Sequence, residues 1–176
     1  MKISIIGYSS SGKSTLAQNL GNILNIPVLH LDKVNFLPEW KERNKEESKK
    51  IVEDFIKNND KFIIDGNYIK FVYELRMKLS DKIIFLDFDR ITCLFHAFQR
   101  YNKYKGKVRD SMTEGCYEKL DWDFLHWILI GGRTKERIKK NKILLEKHKD
   151  KCIILKNKEE VIEFIKKVKE NKSIYI

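Results

Sequence analysis

A chain of 176 residues that is 42% hydrophobic and 35% charged has the length and composition of one folded domain with a full core, which excludes a disordered, fibrous or disulfide-stapled chain. Its longest apolar run, near Trp127 to Ile130, is far too short to cross a bilayer. The net charge of +11 rests mostly on lysine, with only 7 arginines among the 36 basic residues. Arginine is the side chain that reads phosphates and bases bidentately, so a nucleic-acid partner is not favoured.

The chain opens on the apolar run Ile3-Ser4-Ile5-Ile6, and Leu16, Ala17, Leu20, Ile23 and Leu24 follow later at helical spacing. Between them stands Gly7-Tyr8-Ser9-Ser10-Ser11-Gly12-Lys13-Ser14-Thr15, which carries G-x-x-x-x-G-K-[ST] at a strand-to-helix turn. Glycines at both ends of this loop let successive N–H groups point into one concavity, and the helix N-terminus adds its positive end. Lys13 is within reach of terminal phosphates, and the Ser14 hydroxyl is suited to Mg²⁺. The loop is therefore read as a nucleoside-triphosphate site with ATP and Mg²⁺ as its cofactors. With Lys2 and Ile3 already in the first strand, no signal peptide is expected.

Pro27 to Asp32 reads as a second short strand ending in an acid, and Asn35 to Trp40 as a loop around Pro38. A helix is expected from about Lys41 to Asn58, with Ile51, Val52, Phe55 and Ile56 as its buried stripe. Phe62-Ile63-Ile64-Asp65-Gly66 is the third strand, a short helical stretch carries Arg76, and Ile83 to Asp87 is the fourth strand. A helix from Ile91 to about Tyr101 follows, and then a polar, basic segment to Gly115 with no apolar period. Helices near Asp121–Ile130 and Thr134–His148 are separated by Gly131-Gly132. Cys152 to Leu155 is the last strand and Glu159 to Lys169 the last helix. The basic block from Arg133 to Lys151 reads as the wet face of a helix whose apolar face is Ile138, Leu144 and Leu145. Cys93, Cys116 and Cys152 are widely spaced, which suggests reduced thiols in a cytoplasmic protein.

Short apolar strands alternating with helices predict an α/β fold with a parallel sheet covered on both faces. Ligands bind outside the carboxyl ends of such strands, which gathers Gly7, Asp32, Asp65 and Asp87 along one edge. Asp65 and Asp87 both fit the acid that ends an apolar strand and holds Mg²⁺ through water opposite Ser14. Asp65 is preferred because Gly66 lets backbone approach a ligand, with Asp87 as runner-up; Asp89 competes with Asp87 for capping the next helix. Asp32 is read as serving either a Mg²⁺-bound water or the acceptor, and His30 as packed or hydrogen-bonded in the core rather than catalytic. Phosphoryl transfer calls for cations that arrive on closure, and Arg100 and Arg109 are preferred for that role over Arg133 and Arg137. Surface pairs with Asp110, Glu114, Glu118 or Asp121 are the competing use of these arginines.

The runs I-I-G-Y-S-S-S-G-K-S-T-L-A, P-V-L-H-L-D, I-I-D-G-N-Y and I-I-F-L-D, with Arg100 and the later G-C-Y-E-K and D-F-L-H-W, resemble the topology-modulation (FlaR-like) proteins. That family is a branch of the adenylate-kinase-like P-loop kinases, and the resemblance covers nearly the whole chain. It implies a P-loop NTPase fold with a five-stranded parallel sheet in the order 2-3-1-4-5 and an arginine-bearing lid at about residues 101–115, within a single domain 1–176. Asp65-Gly66 is similar to the Asp-Gly after the third strand of adenylate kinases, which supports Asp65 for Mg²⁺. Asn67-Tyr68-Ile69 stands where those enzymes have Phe-Pro-Arg. Leu31-Asp32-Lys33-Val34-Asn35 stands where they have a Thr-Gly-Asp acceptor motif, so AMP specificity does not carry over.

The expected function is an ATP-binding kinase that transfers the γ-phosphoryl group to a nucleotide or nucleotide-sized small molecule, nucleoside monophosphates among them. Lys13, Arg100, Arg109 and Asp32 are the candidate catalytic residues. The alternative is a nucleotide-binding regulator associated with DNA topology and having weak or no turnover. A GTPase is disfavoured because Asn157-Lys158-Glu159-Glu160 lacks the aspartate of the guanine motif.

Overall fold

The computed structural model describes residues 1–170. Five strands, β1 (Lys2–Gly7), β2 (Val28–His30), β3 (Phe62–Asp65), β4 (Lys82–Leu86) and β5 (Cys152–Leu155), form one parallel sheet in the order β2-β3-β1-β4-β5. This is the α/β P-loop NTPase architecture expected from the sequence. The helices are α1 (Lys13–Leu24), α2 (Leu31–Asn35), α3 (Lys45–Asn58), α4 (Tyr73–Leu79), α5 (Arg90–Tyr104), α6 (Trp122–Leu129), α7 (Lys135–Lys147) and α8 (Lys158–Glu170). Among the described residues no helix is long and apolar enough to cross a membrane.

The strands alternate between two cores, as a period of two requires. Ile3, Ile5, Ile63, Ile84 and Leu86 face a cluster with Leu16 and Leu20 of α1, Ala97 of α5, Ile128 of α6 and Phe164 of α8. On the other face Phe62 and Ile64 meet Leu31, Val34 and Val52, while Ile6, Ile83 and Phe85 meet Met77 and Leu144. Each such side chain contributes about 1.5–3 kcal/mol by leaving water. Ser4 interrupts the apolar run of β1, and its buried hydroxyl accepts a bond from Ser80 Oγ at 2.8 Å.

Several boundaries differ from the sequence reading. β2 stops at His30, and Asp32 lies in the first turn of the five-residue α2 rather than on a strand. Residues 38–40 form one turn of 3-10 helix. The helix expected from Lys41 starts at Lys45 because residues 36–42 pair on themselves: Phe36 bridges Glu42, and Leu37 N donates to Lys41 O at 2.8 Å. Asn44 then caps α3, accepting from Glu46 N at 2.9 Å. α5 continues to Tyr104, into the stretch read as lid. The basic block does form the exposed helix α7, with Leu144 buried beneath it. Asn157, from the would-be guanine motif, caps α8 by accepting from Glu160 N at 2.8 Å.

Candidate phosphoryl-transfer site

The carboxyl end of β1 runs into the loop Gly7–Gly12 and then into α1. Gly7 has φ 142°, and a Cβ there would sit 2.5 Å from Leu86 O of the neighbouring strand, so no other residue fits. Gly12, the N-cap of α1, has no side chain to bond the first-turn N–H groups, which are left open toward an anion. Tyr8 O accepts from Ser11 Oγ at 2.8 Å and from Lys13 Nζ at 2.7 Å, which folds the loop around its own lysine. Burial lowers the Lys13 pKa from its ordinary value, and the Asp65 and then Asp32 carboxylates oppose that shift. Lys13 is thus half-buried, not the surface cation its polarity suggests.

Asp65 pairs in register with Ile5, two residues before the loop begins. Its Oδ2 accepts from His30 Nδ1 at 3.0 Å in a buried pair, which fixes the histidine as a core hydrogen-bond donor. Its Oδ1 is buried with no partner, an orphan acceptor at the edge of the site. That orphan fits a Mg²⁺-bound water, with Ser14 in the first turn of α1 as the direct ligand, since Mg²⁺ keeps most of its waters. Among the described residues no group of three His, Cys, Asp or Glu could hold a metal by itself, so phosphate oxygens and waters would have to complete the shell. Asp87, half-exposed beyond β4, is not the cap of α5: Asp89 fills that role, accepting from Thr92 N at 2.9 Å. The close approach at Gly66 is internal, because a Cβ there would meet Leu31 Cβ at 2.9 Å.

Asp32 is half-buried, and its Oδ1 accepts from Tyr68 Oη at 2.8 Å. Burial and then the Asp32 charge raise the Tyr68 pKa, so the phenol stays a donor. Arg76 is fully buried and donates to Phe71 O, Gly66 O and Tyr68 O at 2.9, 3.1 and 2.8 Å, fastening the loop that carries Asn67 and Tyr68. The desolvation of this guanidinium pulls its pKa down to about 10. Val72, at the end of the same loop, sits at φ 45°, a strained conformation for a β-branched residue held by the packing around it.

The far wall comes from the C-terminal half. Arg100 Nη1 donates to Ser10 Oγ at 3.3 Å and His96 Nδ1 to Ser10 O at 3.2 Å. Trp127 Nε1 donates to Ser9 Oγ at 2.9 Å, and the Arg133 guanidinium lies over the Tyr8 ring with its carbon 3.5 Å from the centroid. Arg137 stacks on Trp127. Arg100 and Arg133 therefore both stand at the loop, Arg100 on Ser10 and Arg133 on Tyr8, whereas Arg137 reaches it only through Trp127. Arg109 is brought beside Arg100 through Glu118, whose carboxylate is buried rather than on the surface. Burial, and then the charge of Arg109, lower the Arg100 pKa, with Glu118 opposing them.

Segment 105–121 lacks an apolar period but is pinned by single contacts. Met112 and Cys116 are buried, Thr113 Oγ1 donates to Phe36 O at 2.6 Å, and Cys116 Sγ lies 3.2 Å from Leu37 O. Sequence reasoning missed Asn67, Tyr68, His96 and Trp127 as site residues, and it offered Glu118 as a partner of these arginines but placed the pair on the surface. The run Asp65-Gly66-Asn67-Tyr68 was the only local signal for the first two.

No protein-family model matches the chain, and no curated protein matches it. Among solved structures, shikimate kinase from Acinetobacter baumannii in complex with shikimate aligns over 98% of this chain and 94% of that one, with 12% identity and a TM-score of 0.56. Shikimate kinase from Bacteroides thetaiotaomicron aligns over 99% of both chains, with 15% identity and a TM-score of 0.48. The likeness to the Acinetobacter enzyme establishes the fold: this chain has an α/β P-loop NTPase fold like that kinase's.

Proposed function

We propose that the chain is an ATP- and Mg²⁺-dependent kinase that transfers the γ-phosphoryl group to a nucleotide or nucleotide-sized small molecule. The observation that carries this reading is the convergence on one loop of an open helix N-terminus, Lys13, an orphan carboxylate oxygen on Asp65 and the Arg100 guanidinium. Those are the parts phosphoryl transfer needs: a phosphate cradle, a metal-water acceptor and a cation facing the developing charge. Lys13 would bind the terminal phosphates, Ser14 would ligate Mg²⁺ directly, and Asp65 would orient a water on it. Held there, Mg²⁺ would supply neutralisation of phosphate charge.

Asp32, oriented by Tyr68, is suited to accept a proton from an acceptor hydroxyl on the β2 side of the site. Arg100 and Arg109 would stabilise the transferring group, under a lid at about residues 101–115 that closes further on ligand and excludes water. The D-G-N-Y and G-C-Y-E-K runs support membership of the topology-modulation branch of these kinases.

A coupled ADP-release screen tests the reading, run over nucleoside monophosphates, nucleosides and small hydroxylated metabolites; the shikimate-bound neighbour argues for including hydroxy acids. Stimulation of ADP release by at least one acceptor, abolished in Lys13→Ala, is expected. A chain that binds no Mg·ATP and responds to no acceptor rules it out.

A further inference from the structure

Between the two arginines lies Glu118, with a side chain only 3% exposed. Its Oε1 accepts from Arg100 Nε at 2.9 Å, and its Oε2 lies 2.7 Å from Arg109 Nε. The second contact is an ion pair without hydrogen-bond alignment, since both of its atoms are buried and lack a hydrogen-bond partner. One buried carboxylate thus balances two guanidiniums and leaves a net positive charge at the P-loop.

The donors are divided in a specific way. Glu118 accepts from the Nε edge of Arg100 and lies close to Arg109 Nε, off its N–H direction. The outer edge of Arg100 reaches Ser10 Oγ through Nη1, and neither Nη of Arg109 has a protein partner among the described residues. A guanidinium is a rigid planar fork, so fixing Nε of Arg100 fixes where its Nη pair points. The backbone ties Glu118 to the same unit: its N donates to Lys107 O at 3.2 Å, and it bridges Lys105 beyond the end of α5.

We infer that Glu118 is a positioning residue for phosphoryl transfer. It holds Arg100 by its inner edge and draws Arg109 in beside it by charge, so that the outer nitrogens of both are left to converge on the γ-phosphoryl group as charge develops. The inference rests on the kinase reading above. It also differs from the opposite role, a counter-ion that phosphate must displace, because such a carboxylate would occupy the outer nitrogens.

Calorimetric titration of the full chain with Mg·ADP, with and without aluminium fluoride as a mimic of the transferring phosphoryl group, separates these roles. Wild type is expected to bind the mimic more tightly than Mg·ADP. Glu118→Gln is expected to lose roughly ten- to a hundredfold of affinity for the mimic, the usual effect of removing an orienting partner. Its Mg·ADP affinity should stay within about twofold, since the arginine contacts form mainly in the transition state. Glu118→Asp, which keeps the charge on a shorter stem, should show the same selective loss to a smaller extent, and it carries the test if the Gln variant lacks a cooperative melt. Equal losses for both ligands mark a merely structural role and overturn the inference; so does wild-type affinity for the mimic, or a gain for both ligands. Wild type that binds Mg·ADP but gains nothing from aluminium fluoride overturns this inference, whereas the kinase reading falls only with the ADP-release screen.

Discussion

The carboxamide of Asn67 closes a two-point hydrogen bond on the backbone of Gly7: Nδ2 donates to Gly7 O at 2.6 Å, and Gly7 N donates to Oδ1 at 3.0 Å. It extends the β1–β3 pairing past Asp65 by one side-chain rung, so Asp65 and the start of the Gly7–Gly12 loop share one rigid frame. Asn67→Ala removes both bonds and leaves the Gly7 groups to find water. A loss of about 2 kcal/mol is expected, read as a melting point roughly 4–8 °C lower, together with weaker Mg·ATP binding. An unchanged melting point with unchanged affinity contradicts this role.

Lys13→Ala should spare the fold and cripple the site. The lysine is half-buried at the loop, and burial disfavours its charge, so its removal takes away little that holds the core together. At about 100 times its Kd, Mg·ATP should stabilise wild type by about 2.7 kcal/mol. Differential scanning fluorimetry should find most of that shift gone in the variant; a wild-type shift in Lys13→Ala would remove the P-loop assignment.

The two strand-end acids should separate by their Mg²⁺ requirement. Asn at position 65 still accepts from His30 but turns an NH₂ toward the metal-bound water. Asp65→Asn should therefore raise the Mg²⁺ concentration needed for half-maximal ATP turnover by roughly tenfold. Asp87→Asn should change it less, because the carboxylates that act on Lys13 are those of Asp65 and Asp32. A larger effect at Asp87 moves the metal role to β4.

Arg109→Ala should lower kcat by roughly a hundredfold while changing ATP affinity little, the signature of a contact made in the closed state. Hydrogen exchange checks the same point on the backbone. Amides of residues 103–109 should gain protection when Mg·ADP and aluminium fluoride bind, whereas those near Met112 and Cys116 should already be protected. Full protection of 103–109 without ligand makes this stretch a fixed surface element and removes the lid.

Asp89 predicts part of the acid limb of stability. The Thr92 hydroxyl, and then its backbone N–H, hold the Asp89 pKa below the ordinary 3.8. A carboxylate whose folded pKa is depressed contributes stability above its unfolded pKa and loses it as pH falls through the folded one. Asp89→Asn keeps a capping acceptor without titrating. Urea melts from pH 6 down to pH 2 should give a shallower loss for the variant below about pH 4; identical slopes show that the cap is not linked to protonation.

The sequence by itself determined the P-loop, the strands and the parallel sheet. These are written in local patterns: Gly7 and Gly12 around a loop, Lys13-Ser14 at a helix start, and three or four apolar residues ending in an acid. Backbone sterics and a period of two or 3.6 translate such patterns directly into elements.

The walls of the site were decided only by tertiary structure. Asn67 reaches Gly7 across 60 positions and Trp127 reaches Ser9 across 118, and no periodicity links residues so far apart. The stretch from Tyr101 to Gly115 reads as a lid because it lacks an apolar face, yet single buried side chains, Met112 and the neighbouring Cys116, need no period to anchor a chain. Glu118 read as a surface acid because acids are mostly solvated. It is buried because the fold brings two guanidiniums to either side of it, and a buried charge persists only where its partners are already in position.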